Sequence, residues 1–291
     1  MPTSGRRRVY WAPEAPPIDP KPVIQPLDPP VRLGSMLFTL VDPHRGHEVA
    51  YNRWYERDHY YAGCMIGPWL MAGSRWVAPR AHKRLRLPAD SPFARPVDAG
   101  SYLAIYWIHA GHHDDHFRWA GEQVHWLYSH GRGFRERSHV HTALYDHHTS
   151  VYRDADPVPV ELVLDHRYPG LVVGVLEREA GASEKKLDAW LEGEALPKLL
   201  AGSPIACTAI FAPHPTEGSP TQNAPMDLGS APGGPERRLL LFFLEADPRA
   251  EWERFRGLAD AVAGSRLART LFLGPFLPTV VGTDTHARDL W

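Results

Sequence analysis

The segment Trp54-Tyr55-Glu56-Arg57-Asp58-His59 brings an indole, a phenol, a carboxylate and an imidazole within six residues. An imidazole near its ordinary pKa exchanges a proton near neutrality, so His59 reads as a general acid/base with Asp58 as its orienter. Tyr55, and Tyr106 farther along, would donate a hydroxyl to developing enolate charge. A helix-end imidazole bonded to terminal carbonyls is the competing account of His59. At about 100° per residue, Tyr51, Trp54, Tyr55, Asp58 and Ala62 share one face, which predicts a helix over roughly 47–62 with its aromatic stripe against a sheet. Ionisable groups at the end of such a stripe require partners or a pocket.

Other side chains of suitable type lie downstream. Arg75 offers a planar guanidinium for a carboxylate or enolate, and Trp54, Trp76 and Trp107 offer apolar walls. Strand alternation in "RSHVHTALYDHH" places His139, His141, Ala143 and Tyr145 on one face, as lining of a pocket or as a solvated surface. In "SYLAIYWIHA" it sets Tyr102, Tyr106 and Ile108 opposite Leu103, Ile105 and Trp107. His109, His112, His113, Asp114, Asp115 and His116 form the densest cluster of metal-ligand types, with His112 and His116 four apart. Acidic residues at a helix start are favoured by the dipole alone, and no metal is expected there.

The elements that position these residues recur. Apolar runs at 35–42, 70–78, 101–110 and 135–146 alternate with helical patterns at 47–62 and 113–131. Runs at 170–179, 204–213, 237–247 and 269–282 alternate in the same way with helices at 183–201 and 248–264. The order is β-α-β-β-α-β twice. The 29 prolines concentrate in an N-terminal arm, in 86–96 and in 212–236, segments that cannot pack a core of their own. The expected organisation is an arm (1–32), a first repeat (33–150), a linker (151–169), a second repeat (170–282) with a loop at 214–236, and a tail (283–291). Fourteen of the 17 histidines fall between 44 and 148, so the first repeat is expected to carry the chemistry.

Composition excludes several classes. A net charge of -2 from 32 basic and 34 acidic residues gives no field that favours nucleic acid or an anionic membrane. No run approaches the length of a membrane span. The two cysteines, Cys64 and Cys207, stand in separate halves and suit a reducing cytoplasm.

The repeat and its "WYERDH" helix resemble the dimeric α/β-barrel superfamily, and within it the EthD-like group, as a tandem duplication. Trp54, Tyr55, Asp58 and His59 match that group's motif, whose following proline is replaced here by Tyr61. In the second repeat Trp190, Glu194 and Pro197 are kept, with Leu191 for tyrosine and Ala195 for histidine. The resemblance implies an α+β fold in which two ferredoxin-like repeats close an intramolecular pseudo-dimeric barrel, as a monomer or a homodimer. The expected activity is cofactor-independent acid/base chemistry, a cyclisation, isomerisation or dehydration, on a hydrophobic oxygenated small molecule. The alternatives are a haem enzyme of the same fold and a non-catalytic ligand-binding or assembly protein.

Overall fold

The computed structural model describes residues 31–215 and 226–291; the proline-rich arm up to residue 30 and the middle of the 214–236 loop lie outside them. Arg32 to Trp291 forms one compact unit. The first repeat contributes β1 (Leu33–Pro43), α1 (Glu48–Trp54), β2 (Leu70–Val77), a short α2 (Arg80–Lys83), β3 (Tyr102–His109), α3 (His113–Ser129) and β4 (Arg137–Tyr152). The second contributes β5 (Gly170–Arg178), α4 (Glu184–Trp190), α5 (Leu196–Leu200), β6 (Ile205–Pro213), β7 (Arg237–Leu244), α6 (Trp252–Ser265) and β8 (Ala268–Pro278). The doubled β-α-β-β-α-β order is the one the apolar runs predict.

The strands close into one barrel in the order β1-β3-β2-β8-β5-β7-β6-β4. Two seams join the repeats. Along one, β4 pairs with β6 from Tyr145–Pro213 to Tyr152–Cys207; along the other, β2 meets β8 at Trp76–Pro278 and Val77–Leu277. Closure removes the unpaired edges that a lone ferredoxin-like sheet would expose. The interior is largely apolar, with Met36, Phe38 and Leu40 of β1 and Leu239, Leu241 and Phe243 of β7 in one buried cluster.

Helices cover the outer face of each half, and the halves differ there. In the second repeat Leu187, Leu191, Leu196, Leu199, Trp252, Phe255, Leu258 and Val262 pack against the sheet. In the first, the corresponding layer contains His59, Gly63, Cys64, Ala120 and Gly121, which enclose a cavity instead. The helix predicted over 47–62 is α1 followed by two π-helical turns, Tyr55–His59 and Tyr61–Met65. A π-helical turn at Leu191–Ala195 follows Trp190 in the second repeat, so the distortion belongs to the duplicated motif. Such turns widen the backbone and re-aim the side chains they carry.

Candidate functional site

A cavity of about 140 Å³ lies between the π-helical turns, α3 and the outer face of β1, β3 and β4. Leu37, Leu70, Phe117, Val124, Leu144 and Leu228 form apolar walls, and Tyr55, His59, Cys64, Tyr106, His116, His125, Arg137, His139 and Thr142 place polar atoms around them. A vestibule of about 390 Å³ adjoins it, lined by Tyr128, Phe134, Arg135, Ser138 and Asp227, and shares Arg137, His139 and Met226 with it.

Of the residues singled out in the sequence, Tyr55, His59, Tyr106 and His139 converge here. The two phenols share a hydrogen bond of 2.9 Å. Burial pushes both far above the ordinary phenol pKa, so both hydroxyls stay protonated. Trp54 borders no part of the cavity but stacks on the His59 ring at 4.6 Å and donates its indole N–H to the Arg132 carbonyl.

The proposed acid/base couple does not form. Asp58 turns to Arg132, which donates to its carboxylate from Nε at 3.1 Å and from a second nitrogen. That bond holds the Asp58 carboxyl below its ordinary pKa. His59 has a buried Nδ1 with no hydrogen-bond partner among the described residues. Burial, reinforced by the positive charge of Arg137, lowers its pKa to about 3. An imidazole held that low is neutral but only weakly basic.

Four more of these residues do not reach this cavity. Arg75 is buried against Glu56, 2.9 Å from a carboxylate oxygen, and donates to Asn52 at 3.0 Å; with Trp76 it lines a separate cavity of about 590 Å³ beside Tyr60 and Asp165. Trp107 lies inside the barrel and donates to the Val160 carbonyl at 3.0 Å, because its position in β3 has the opposite parity to Tyr106. Trp76 belongs to the same interior cluster and donates to Ser74 Oγ. His141 is fully buried in the barrel, bonded to Ser230 at 2.9 Å and to Tyr145 at 2.7 Å.

His139 and His141 therefore do not share a face. The register with β1 slips between Leu40–His141 and Val41–His139, a bulge that adds Val140 to one strand. A bulge of one residue reverses side-chain parity beyond it. His141 stays with Ala143 and Tyr145 in the interior, while His139 turns to the cavity. His139 Nδ1 lies 2.6 Å from Thr142 Oγ1, which is 2.7 Å from Thr39 Oγ1. Its Nε2 is buried without a partner among the described residues, and burial lowers its pKa to about 3.

The histidine cluster at the start of α3 also disperses. His112 stacks on Trp69 at 3.5 Å, and His116 is buried with Nδ1 at 2.8 Å from the Pro68 carbonyl. Burial lowers the His116 pKa, and its ring lines the cavity.

The sequence reading missed Met226 and Leu228, which reach the cavity from the second repeat's loop. Thr142 N–H donates to the Leu228 carbonyl, Ser230 N–H donates to the Val140 carbonyl, and Gly229 bridges to His141. The small residues Gly63, Cys64, Ala120 and Gly121 were the available signal, since leucines and aromatics fill the same layer of the second repeat.

No family model and no curated protein matches the chain. Among solved structures, a chlorite dismutase-type protein matches at a TM-score of 0.52 and 10% identity, over 89% of this chain and 100% of that one. An anthrone oxidase-like protein matches at 0.51 and 12%, over 86% and 94%. A Rhodococcus jostii DypB variant in complex with haem matches at 0.49 and 11%, over 85% and 96%. The chain thus has the ferredoxin-like dimeric α/β-barrel fold. Two expectations are corrected. Acid/base chemistry with His59 as base and Asp58 as its partner is overturned by the unmade Asp58–His59 couple and by the burial that lowers the His59 pKa to about 3, and the expectation of no cofactor, which rested on that couple, falls with it. Among the described residues no helix is long and apolar enough to cross a membrane.

Proposed function

We propose that the first repeat is the ligand-binding half of a haem-dependent enzyme acting on small aromatic molecules, with His139 as the iron ligand. The observation that carries this reading is the state of His139 at the junction of cavity and vestibule. One ring nitrogen is fixed by Thr142, and the other is buried and has no partner among the described residues. Metal-bound imidazoles are typically oriented in this way by a bond to their second nitrogen. With His139 Nδ1–H donating to Thr142 Oγ1 and the Thr142 hydroxyl donating in turn to Thr39 Oγ1, the Nε2 lone pair is free. The low pKa of His139 keeps that lone pair unprotonated.

The remaining residues suit the same group. The cavity's volume of about 140 Å³ is close to the roughly 150 Å³ apolar cavity that holds one benzene ring. A macrocycle therefore needs the adjoining vestibule as well, and Arg135 and Arg137 line that vestibule as partners for carboxylate side groups. When bound, haem supplies one-electron and oxygen or peroxide chemistry. The chain's own part is to exclude water with Leu37, Phe117 and Leu144, to hold neutral hydroxyls at Tyr55 and Tyr106, and to place the Arg137 charge at the rim. The Trp54-Tyr55-x-x-Asp58-His59 motif supports an EthD-like kinship within the fold.

Titration of the purified chain with haemin tests the reading. A Soret band distinct from free haemin is expected, and it should be lost or strongly shifted in His139→Ala. A wild-type spectrum equal to free haemin plus protein would refute it. The cavity's volume without the vestibule favours a second reading, a haem-free binder of a single-ring aromatic, for which saturable phenol or indole binding without any Soret band is the signature.

A further inference from the structure

Apart from the cavity, one group of ligand-type side chains converges where the two repeats are stitched together. His113 opens α3, Asp146 lies in β4, and His214 follows the end of β6. One ligand atom from each lies within 4.8 Å of the other two. His214 Nδ1 is 2.9 and 3.0 Å from the two Asp146 oxygens. The rings of His113 and His214 stack at 3.8 Å with 23° between their planes.

The second observation concerns His113 itself. Its Nδ1 is 2.7 Å from Ser35 Oγ, a nearly buried hydroxyl, which fixes the ring, whereas its Nε2 is buried and has no partner among the described residues. A buried ring nitrogen left without a partner is destabilising, and a bound cation would satisfy it. Two imidazoles beside a carboxylate, one of them with a buried nitrogen that takes no other partner among the described residues, are donor types suited to a cation.

We infer that His113, Asp146 and His214 form a binding site for a divalent transition-metal ion of the zinc type. Two imidazole nitrogens and one carboxylate oxygen make a three-ligand set that leaves a fourth position for water. Ser35 acts as the outer partner that orients His113. Bringing the three donors to bonding distance from one ion, about 2.0–2.2 Å each, requires the carboxylate to exchange its bond with His214 for one with the metal, and the His214 ring to turn out of its stack on His113 so that both in-plane lone pairs converge. The group is partly exposed, with Asp146 and His214 side chains at 46% and 25%, so an ion has a route in.

The consequence is mechanical. His214 begins the loop whose far end, Met226 to Gly229, walls the first repeat's cavity and pairs with β4. A metal at His214 would pin the second repeat's loop to the first repeat's helix α3 and strand β4.

Zinc binding to the full chain, stripped with chelator and measured by calorimetry and by a zinc-dependent rise in melting temperature, tests this directly. One zinc per chain is expected. Asp146→Asn and His214→Ala should each weaken binding by tenfold or more, and Ser35→Ala by about tenfold. His112→Ala, which alters a ring stacked on Trp69 outside the cluster, should leave binding unchanged. Absence of stoichiometric zinc binding to the wild type would overturn the site, as would unchanged affinity in a folded Asp146→Asn/His214→Ala double variant. The assay has no haem readout, so it stands or falls apart from the reading of the cavity.

Discussion

The phenol oxygens of Tyr55 and Tyr106 lie 2.9 Å apart, joining a π-helical turn to the central strand β3 in the wall of the cavity. Both side chains are nearly inaccessible to solvent, so the bond cannot be replaced readily by one to bulk water. Tyr106→Phe leaves the Tyr55 hydroxyl unpaired and should cost about 1–3 kcal/mol in chemical denaturation. The Tyr55→Phe/Tyr106→Phe double variant should cost clearly less than the sum of the single variants. Strict additivity would show that the pair contributes nothing as a pair.

Arg75 and Glu56 form a second buried couple, with side chains only 5% and 10% exposed. The guanidinium also lies over the Tyr55 ring at 4.6 Å. Arg75→Met strands the Glu56 carboxylate, a change expected to cost about 3–5 kcal/mol. Adding Glu56→Gln to that variant should recover most of the loss, because the unmatched charge is then gone. If Arg75→Met instead left stability unchanged, the internal ion pair would be of no structural consequence.

Stability should fall in mild acid. Burial depresses the pKa of His141 to about 3, well below the value of about 6.5 for an unfolded histidine. The unfolded chain therefore takes up a proton first as pH drops. The contribution of neutral His141 is fully present above about pH 6.5 and is lost progressively between there and about pH 3. One such group contributes a slope of up to about 1.4 kcal/mol per pH unit, and His59 and His139, shifted in the same direction by burial, add to it. Denaturation midpoints measured from pH 7 to pH 4 check this, and His141→Gln should flatten the dependence.

Gly229 has φ of +80°, and a Cβ there would come within 2.3 Å of the Val140 carbonyl oxygen. Gly229→Ala should therefore lift Met226 and Leu228 from β4 at a cost of about 1–3 kcal/mol. Faster hydrogen exchange is expected at the Thr142 and Ser230 amides, which bond across this contact. Unchanged protection at both amides would show that the loop is not held there.

The sequence by itself determined the doubled β-α-β-β-α-β order, because each element carries its own apolar period and the repeats share a tryptophan and an acid on the first helix. Histidine content pointed to the first repeat, and the candidate cavity lies there, whereas bulky apolar side chains fill the helix layer of the second. Within the motif, Tyr55 and His59 reach the cavity, whereas Trp54 and Asp58, which share the helical face of Tyr55, do not, because the π-helical turn re-aims its side chains. What only the tertiary structure decided were relations that no local period encodes. A bulge at Val140 separates His139 from His141, and Arg132, distant in sequence, draws Asp58 from His59. The pairing of β6 with β4 carries the second repeat's loop over the first repeat's cavity and sets His214 beside His113 and Asp146. Periodicity reports which face a side chain occupies; barrel closure and strand register determine which other faces it meets.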